Sequence, residues 1–244
     1  MKSISTRFLF STVSISISIL FAIIFINYIF IKDQLLEDAN SKAKFEIIKN
    51  QNKIEKILFQ AIKTSNKAKN LLQKYNLEQK NITSVVTNAL EKSPNIYGMA
   101  VAMEPGVAYK KQFCPYYYKK NRHLIYVNLA SDSYNYLIWP WYKDVRNSTE
   151  AKWSEPYFDK NGGDALMATY SNPIFSDSKF AGVITIDLTL GKLKKIITSM
   201  HILDTGYAFL LSKKKKVLVY PDESLLMKKY STDKILYNHT SLHK

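Results

Sequence analysis

The chain has 244 residues, 46% hydrophobic and 23% charged, with seven Gly and seven Pro, which excludes a collagen-like or broadly disordered polypeptide. Its formal charge of +15 comes mostly from lysine, with arginine only at Arg7, Arg122 and Arg146, so the chain is not expected to read nucleic acid through bidentate guanidinium contacts. The one cysteine, Cys114, rules out an internal disulfide and reads as a small apolar filler in a core held by packing alone.

In chain order, a short tail (residues 1–7) precedes an uncharged run from Phe8 to Ile31 that is long enough to cross a bilayer. Lys2 and Arg7 before it predict a cytoplasmic N-terminus, and the stretch lacks a small-x-small site before Lys32, which favours an uncleaved anchor over a signal peptide. The expected location is the cell (inner) membrane, with a single pass through residues 8–31 and the bulk of the chain periplasmic or extracellular. Residues 32–75 contain neither Pro nor Gly, and Ala43, Ile47, Asn50, Ile54, Ile57, Ala61, Thr64, Ala68 and Leu71 fall at alternating four and three spacing. That pattern predicts a helix of about 60 Å. It is either packed on its own domain, or paired in a homodimer with Asn50 setting the register, or both.

A second helix is expected over Ile82–Lys92. From Pro94 onward the periodicity changes to two, predicting a mostly antiparallel sheet with strands at Tyr97–Met103, Phe113–Lys119, His123–Leu129, Ala165–Ser171, Phe180–Leu190 and Tyr207–Ser212. In the fifth strand Ile184, Ile186, Leu188 and Leu190 share one face, and Val183, Thr185, Asp187 and Thr189 the other. One face should therefore pack on the long helix while Asp187 looks into something polar, an α+β architecture. A short helix at Gly191–Met200 and a hairpin from Thr205 to Asp222 follow. The segment Ser231–Lys244 has no strong periodicity.

The segments Tyr97–Pro105, Trp139–Tyr142, Trp153–Asp159, Gly182–Asp187 and Thr205–Ser212, in this order and spacing, resemble the double Cache sensor domain of bacterial transmembrane receptors. The resemblance implies a membrane-distal PAS-like ligand-binding module at residues 76–200 and a membrane-proximal module begun at residues 201–244. In such receptors a second transmembrane helix and a cytoplasmic output domain follow, of chemoreceptor, kinase or phosphatase type; neither is expected in this sequence. The chain is thus read as an extracytoplasmic small-molecule sensing domain, with a truncated, non-signalling receptor remnant as the alternative. Amino-acid-binding members use an aromatic wall, an Arg for the ligand carboxylate and two Asp for its ammonium. Tyr134, Trp141, Tyr142, Tyr157, Asp159 and Asp187 fall on matching positions, whereas Trp139 stands where the Arg would be.

Aromatic faces beside two carboxylates favour a cation, through cation–π attraction and charge-assisted hydrogen bonds. The expected ligand is an amine or quaternary ammonium, and Tyr134, Trp139, Trp141, Tyr142, Tyr157, Asp159 and Asp187 are its candidate contacts. The competing reading makes the tryptophans, Trp153 included, core aromatics and the aspartates turn caps. A hydrolase built on Glu155, Asp159 and Asp187 is the remaining alternative. No Ser/His/Asp order, phosphate loop or HExxH motif occurs, and His123, His201, His239 and His243 lack metal-ligand spacing. No enzymatic activity, metal or cofactor is therefore expected.

Overall fold

The computed structural model describes residues 4–75, 77–200, 202–203 and 206–231, without the side chains of residues 5–7. The expectations for the first residues of the tail and for most of the closing segment lie outside these. Two units are distinguished, residues 1–49 with 201–206 and residues 50–200 with 207–244.

In the first unit, helix α1 (Ile4–Lys74, continuing into the second) begins with apolar side chains that are exposed all round, from Phe8 to Ile31. This is the one helix among the described residues long and apolar enough to cross a membrane, with a mean hydropathy of 2.5 in its best window. A helix apolar on every face, with no protein packed on it, suits a lipid environment.

In the second unit the α+β expectation holds. Helix α2 (Gln79–Glu91) buries Ile82, Val85, Val86 and Leu90, one stripe at helical spacing, and ends before Pro94. The strands follow: β1 (Gly98–Met103), β2 (Pro115–Lys120), β3 (His123–Asn128), β4 (Ala130–Ser131) and β5 (Tyr134–Asn135). After helix α3 (Pro140–Ser148) come β6 (Lys152–Trp153), β7 (Tyr157–Phe158), β8 (Leu166–Ser176) and β9 (Lys179–Thr189). Helix α4 (Leu190–Thr198) and the hairpin strands β10 (Leu210–Leu211) and β11 (Val217–Val219) complete the set. The main sheet runs β3-β2-β1-β9-β8-β6, every pair antiparallel, with β7 also on β8.

Strand alternation divides the core in two. One face of the sheet carries Met99, Val101 and Met103 of β1 and Ile184, Ile186 and Leu188 of β9, packed with Ile57, Ala61, Ala68 and Leu72 of α1 and with the apolar stripe of α2. Each fully buried branched aliphatic here contributes about 1.5–3 kcal/mol relative to exposure. The other face carries Ala100, Ala102, Tyr116, Tyr118 and Val183, packed with Trp141, Tyr142 and Val145 of α3, and it also holds the buried Cys114. The predicted division of the fifth strand is therefore found, apart from Leu190, which has already entered α4.

Two expectations are corrected. The fourth predicted strand continues to Ser176, because Asn172, Pro173, Ile174 and Phe175 stay in register with β9 despite the proline. The strand predicted at Tyr207–Ser212 shrinks to Leu210–Leu211. In the helical stripe, Ile57, Ala61 and Ala68 belong to the domain's own core, whereas Ile47 is exposed.

Candidate functional site

The second sheet face closes over a small cavity lined by Ala100, Tyr116, Leu129, Tyr134, Trp141, Tyr157, Asp159, Thr169, Thr185 and Asp187. Its volume of about 10 Å³ is enough for one water-sized group. Among the described residues, no Lys, Arg or His lines it.

Local sequence explains how the groups arrive there. Pro140 opens α3 and forces Trp139 before it into an extended conformation (φ −74°, ψ 139°). Trp139 therefore stays off the helix, while Trp141 and Tyr142 sit on its buried face. The indole of Trp139 stacks on Tyr134 with centroids 5.0 Å apart and planes 5° from parallel, and tilts against Tyr157 at 5.5 Å. Asp159 starts a turn through Gly162 and Gly163, and a Cβ on either glycine would strike the site: Asp159 at the first, Tyr116 and Met167 at the second. The turn folds back so that the Gly163 N–H donates to Asp159 Oδ2 (2.8 Å), and the Tyr134 hydroxyl donates to Oδ1 (2.6 Å). Trp141 Nε1 donates to the Tyr134 oxygen at 3.4 Å.

Asp187 lies on the central strand β9, and Thr169 is its register partner on β8. The Thr169 hydroxyl donates to Asp187 Oδ1 (2.7 Å) and so accepts from the Tyr157 hydroxyl (2.9 Å). Each carboxylate thus receives a tyrosine, Asp159 directly and Asp187 through a threonine. Burial raises the proton affinity of both aspartates. Asp187 is pushed up to about 7, first by desolvation and then by the charge of Asp159, against the hydrogen bond from Thr169 and the nearby Tyr116 hydroxyl. Asp159 is raised by burial too, against the hydrogen bonds from Tyr134 and the Gly163 N–H, which favour its charged form. Two buried carboxylates without a basic neighbour constitute a site short of one positive charge.

Of the seven predicted contacts, Tyr134, Trp141, Tyr157, Asp159 and Asp187 meet at this cavity. Trp139 stands behind it, on the rings of Tyr134 and Tyr157. Tyr142 is elsewhere: its hydroxyl donates to Glu104 Oε2 (2.7 Å), a carboxylate that also takes two bonds from Arg146 at 2.8 and 2.7 Å. Helical geometry explains the difference, because neighbours along α3 diverge by about 100°. Glu155 lies outside the lining, so it does not join the two aspartates as a third carboxylate. Trp153 packs on Tyr170 at the opposite, helix-covered face. Thr185, placed by alternation on the face of Asp187, was not named as a contact, and nothing local marks Tyr116 or Thr169.

Residues 82–195 match the family model for the methyl-accepting chemotaxis protein-like, first PDC sensor domain. Methyl-accepting chemotaxis protein McpG of Pseudomonas putida is 38% identical over 100 residues, 41% of this chain and 15% of that protein. Among solved structures, Methyl-accepting Chemotaxis protein X superposes with a TM-score of 0.69 at 19% identity, over 82% of this chain and 81% of that one. The ligand-binding domain of Mlp24 with asparagine does so with a TM-score of 0.61 at 20% identity, over 81% and 78%. The curated relatives are much longer than the matched segment, which spans about 15% of McpG. Sequence match and fold agree with the resemblance carried by the five motifs: the stretch from 82 to 195, a little under half of the chain, is similar to the methyl-accepting chemotaxis protein-like, first PDC sensor domain.

Proposed function

We propose that this chain is the extracytoplasmic sensing part of a bacterial membrane receptor, anchored by residues 8–31 with its N-terminus in the cytoplasm, and that its cavity receives the cationic head of a small amine. The observation that carries this reading is the pair of buried aspartates, Asp159 and Asp187, beneath Tyr134, Trp141 and Tyr157, with no basic side chain in the lining. An ammonium would neutralise the pair and replace the solvation lost on burial, by charge-assisted hydrogen bonds. Tyr157 of the lining is half-buried and is backed by Trp139, and aromatic faces suit either an alkyl tail or the flank of a cation. Binding in this fold would bias the arrangement of α1, which is how a receptor of this kind couples a ligand to an output supplied elsewhere.

An amino acid is the second reading, favoured by the fold shared with the asparagine-bound domain of Mlp24. It needs a partner for the ligand carboxylate. Trp139 occupies the place of the expected arginine, and Arg146 is committed to Glu104. A plain amine therefore fits the lining better. The test is calorimetric titration of the full chain in lipid nanodiscs with amines, amino acids and matched carboxylates. Saturable binding of amines, lost in Asp159→Asn and Asp187→Asn, supports the proposal. Binding of carboxylates alone, or of amines equally in both variants, overturns it.

A further inference from the structure

Tyr116 has no place in the hydrogen-bond pattern of the cavity it lines. It is buried on β2, 1% exposed, and its ring stacks on Tyr118 with centroids 5.6 Å apart. Its hydroxyl reaches the cavity through a notch left by two glycines: a Cβ at Gly98 would collide with it, and one at Gly163 would come within 2.8 Å. Yet this fully buried oxygen makes no hydrogen bond of normal geometry among the described residues; it only approaches Asp187, in a weak polar contact that still favours the charged carboxylate. The two other tyrosine hydroxyls of the lining are both used, Tyr134 on Asp159 and Tyr157 on Thr169. A buried hydroxyl without a partner is rare in folded proteins, and one aimed into a cavity points to a ligand that supplies the partner.

Resting on the amine reading above, we propose that the Tyr116 hydroxyl is a specificity-determining ligand contact, the third acceptor beside Asp159 and Asp187 for a primary ammonium, and that the site rejects N-methylated cations. Two features support this together. An –NH₃⁺ group carries three N–H donors at tetrahedral angles, and the cavity offers two carboxylates and one phenol oxygen, whereas a trimethylammonium has no donor to give. Size acts in the same direction. The cavity of about 10 Å³ accepts a group as large as a water molecule, which an –NH₃⁺ is and a trimethylammonium is not. The phenol keeps its proton, because burial and the two carboxylates both oppose ionisation. It can then donate towards Asp187 while its lone pair accepts from the ligand.

The experiment titrates the full chain in nanodiscs with matched pairs: ethanolamine and choline, phenethylamine and its N-trimethyl derivative, asparagine and its trimethyl betaine. Wild type and Tyr116→Phe are compared, with melting curves as the check on folding; because the hydroxyl makes no hydrogen bond of normal geometry, the variant should melt close to wild type. The expected result is that the primary amines bind at least tenfold tighter than their trimethyl partners, and that Tyr116→Phe weakens the primary amines about tenfold while narrowing that ratio. Trimethyl partners binding as well as the primary amines, or a Tyr116→Phe variant with unchanged selectivity, overturns this inference and leaves the amine proposal standing. Absence of binding by every amine in wild type overturns both.

Discussion

The Trp139 indole lies flat against the Tyr134 ring, 5.0 Å between centroids, and the hydroxyl of that same tyrosine ends on Asp159 at 2.6 Å. A half-exposed aromatic thereby holds one of the two buried carboxylates in place at one remove. Stacked pairs of this kind contribute about 0.5–1.5 kcal/mol beyond area burial. Trp139→Ala should cost about 1 kcal/mol of stability and weaken amine binding severalfold, because Tyr134 is freed to move. Trp153→Ala should cost more stability, since that ring packs on the helix-covered core, and leave the dissociation constant unchanged. Melting curves and titrations on the two variants separate the roles; equal loss of binding in both would show that Trp139 acts only through the fold.

Tyr142 and Tyr134 are the second contrast. Both are buried tyrosines on or just before α3, and only one points at the cavity. Tyr142→Phe removes a hydrogen bond to a charged Glu104 and should lower stability by about 1.5–3 kcal/mol with ligand affinity intact. Tyr134→Phe should lower affinity instead, leaving Asp159 with the Gly163 N–H alone. A Tyr142→Phe variant that lost binding without losing stability would restore that residue to the site.

Acid–base behaviour offers a third check. Asp187 has its folded pKa raised from 3.8 to about 7, chiefly by desolvation. Between these values the folded state holds a proton that the unfolded state has released, so this residue makes the ligand-free domain lose stability as pH rises from about 4 to about 7. Amine binding should run the other way, tightening across the same window as the carboxylate ionises. Asp187→Asn, in which amine binding is lost, should flatten the stability slope relative to wild type, measured by thermal melting at pH 5, 6, 7 and 8, with wild-type titrations at the same pH values reading the affinity. A wild-type slope retained in the variant would assign the titration to another group.

How much of this was legible beforehand follows from which interactions are local. Alternation along Val183–Leu190 sufficed to put Ile184 and Ile186 against helices and Asp187 in a polar hollow, because strand geometry fixes opposite faces whatever the neighbours are. Proline at 140 likewise made Trp139 extended by steric necessity. The Tyr116 notch was not legible, since it joins β2, β1 and the 159–164 turn, and no local pattern announces that Gly98 leaves room for a ring 18 residues later. Tyr142 lies outside the cavity lining, and a motif match could not have placed it, because such a match fixes sequence position but leaves rotation about a helix open.

The last prediction concerns the passage from cavity to helix. Strand β8 has Thr169 on the cavity face, bonded to Asp187, and Asn172 on the opposite face. There the Asn172 amide donates to Ser65 Oγ (3.2 Å) and to Asn66 Oδ1 (2.8 Å), and its oxygen accepts from Lys69 Nζ (3.1 Å). Gln73 of the same helix donates to the Phe175 carbonyl at 2.9 Å. In an otherwise apolar interface this buried polar clasp fixes the helix at one axial position, since sliding by one residue would leave the Asn172 amide unpaired, at a cost of about 1–3 kcal/mol. Three residues of one strand thus separate a bond to the ligand-facing carboxylate from a bond to the helix. Asn172→Leu, which replaces the clasp by an apolar contact of similar volume, should fold with stability changed by less than about 2 kcal/mol and bind amines as wild type does. What it should lose is the effect of ligand on the helix: in hydrogen exchange, amides of residues 65–73 should change protection on amine binding in wild type and not in the variant. Retained ligand-dependent protection in Asn172→Leu would show that α1 responds to the cavity through the apolar core instead.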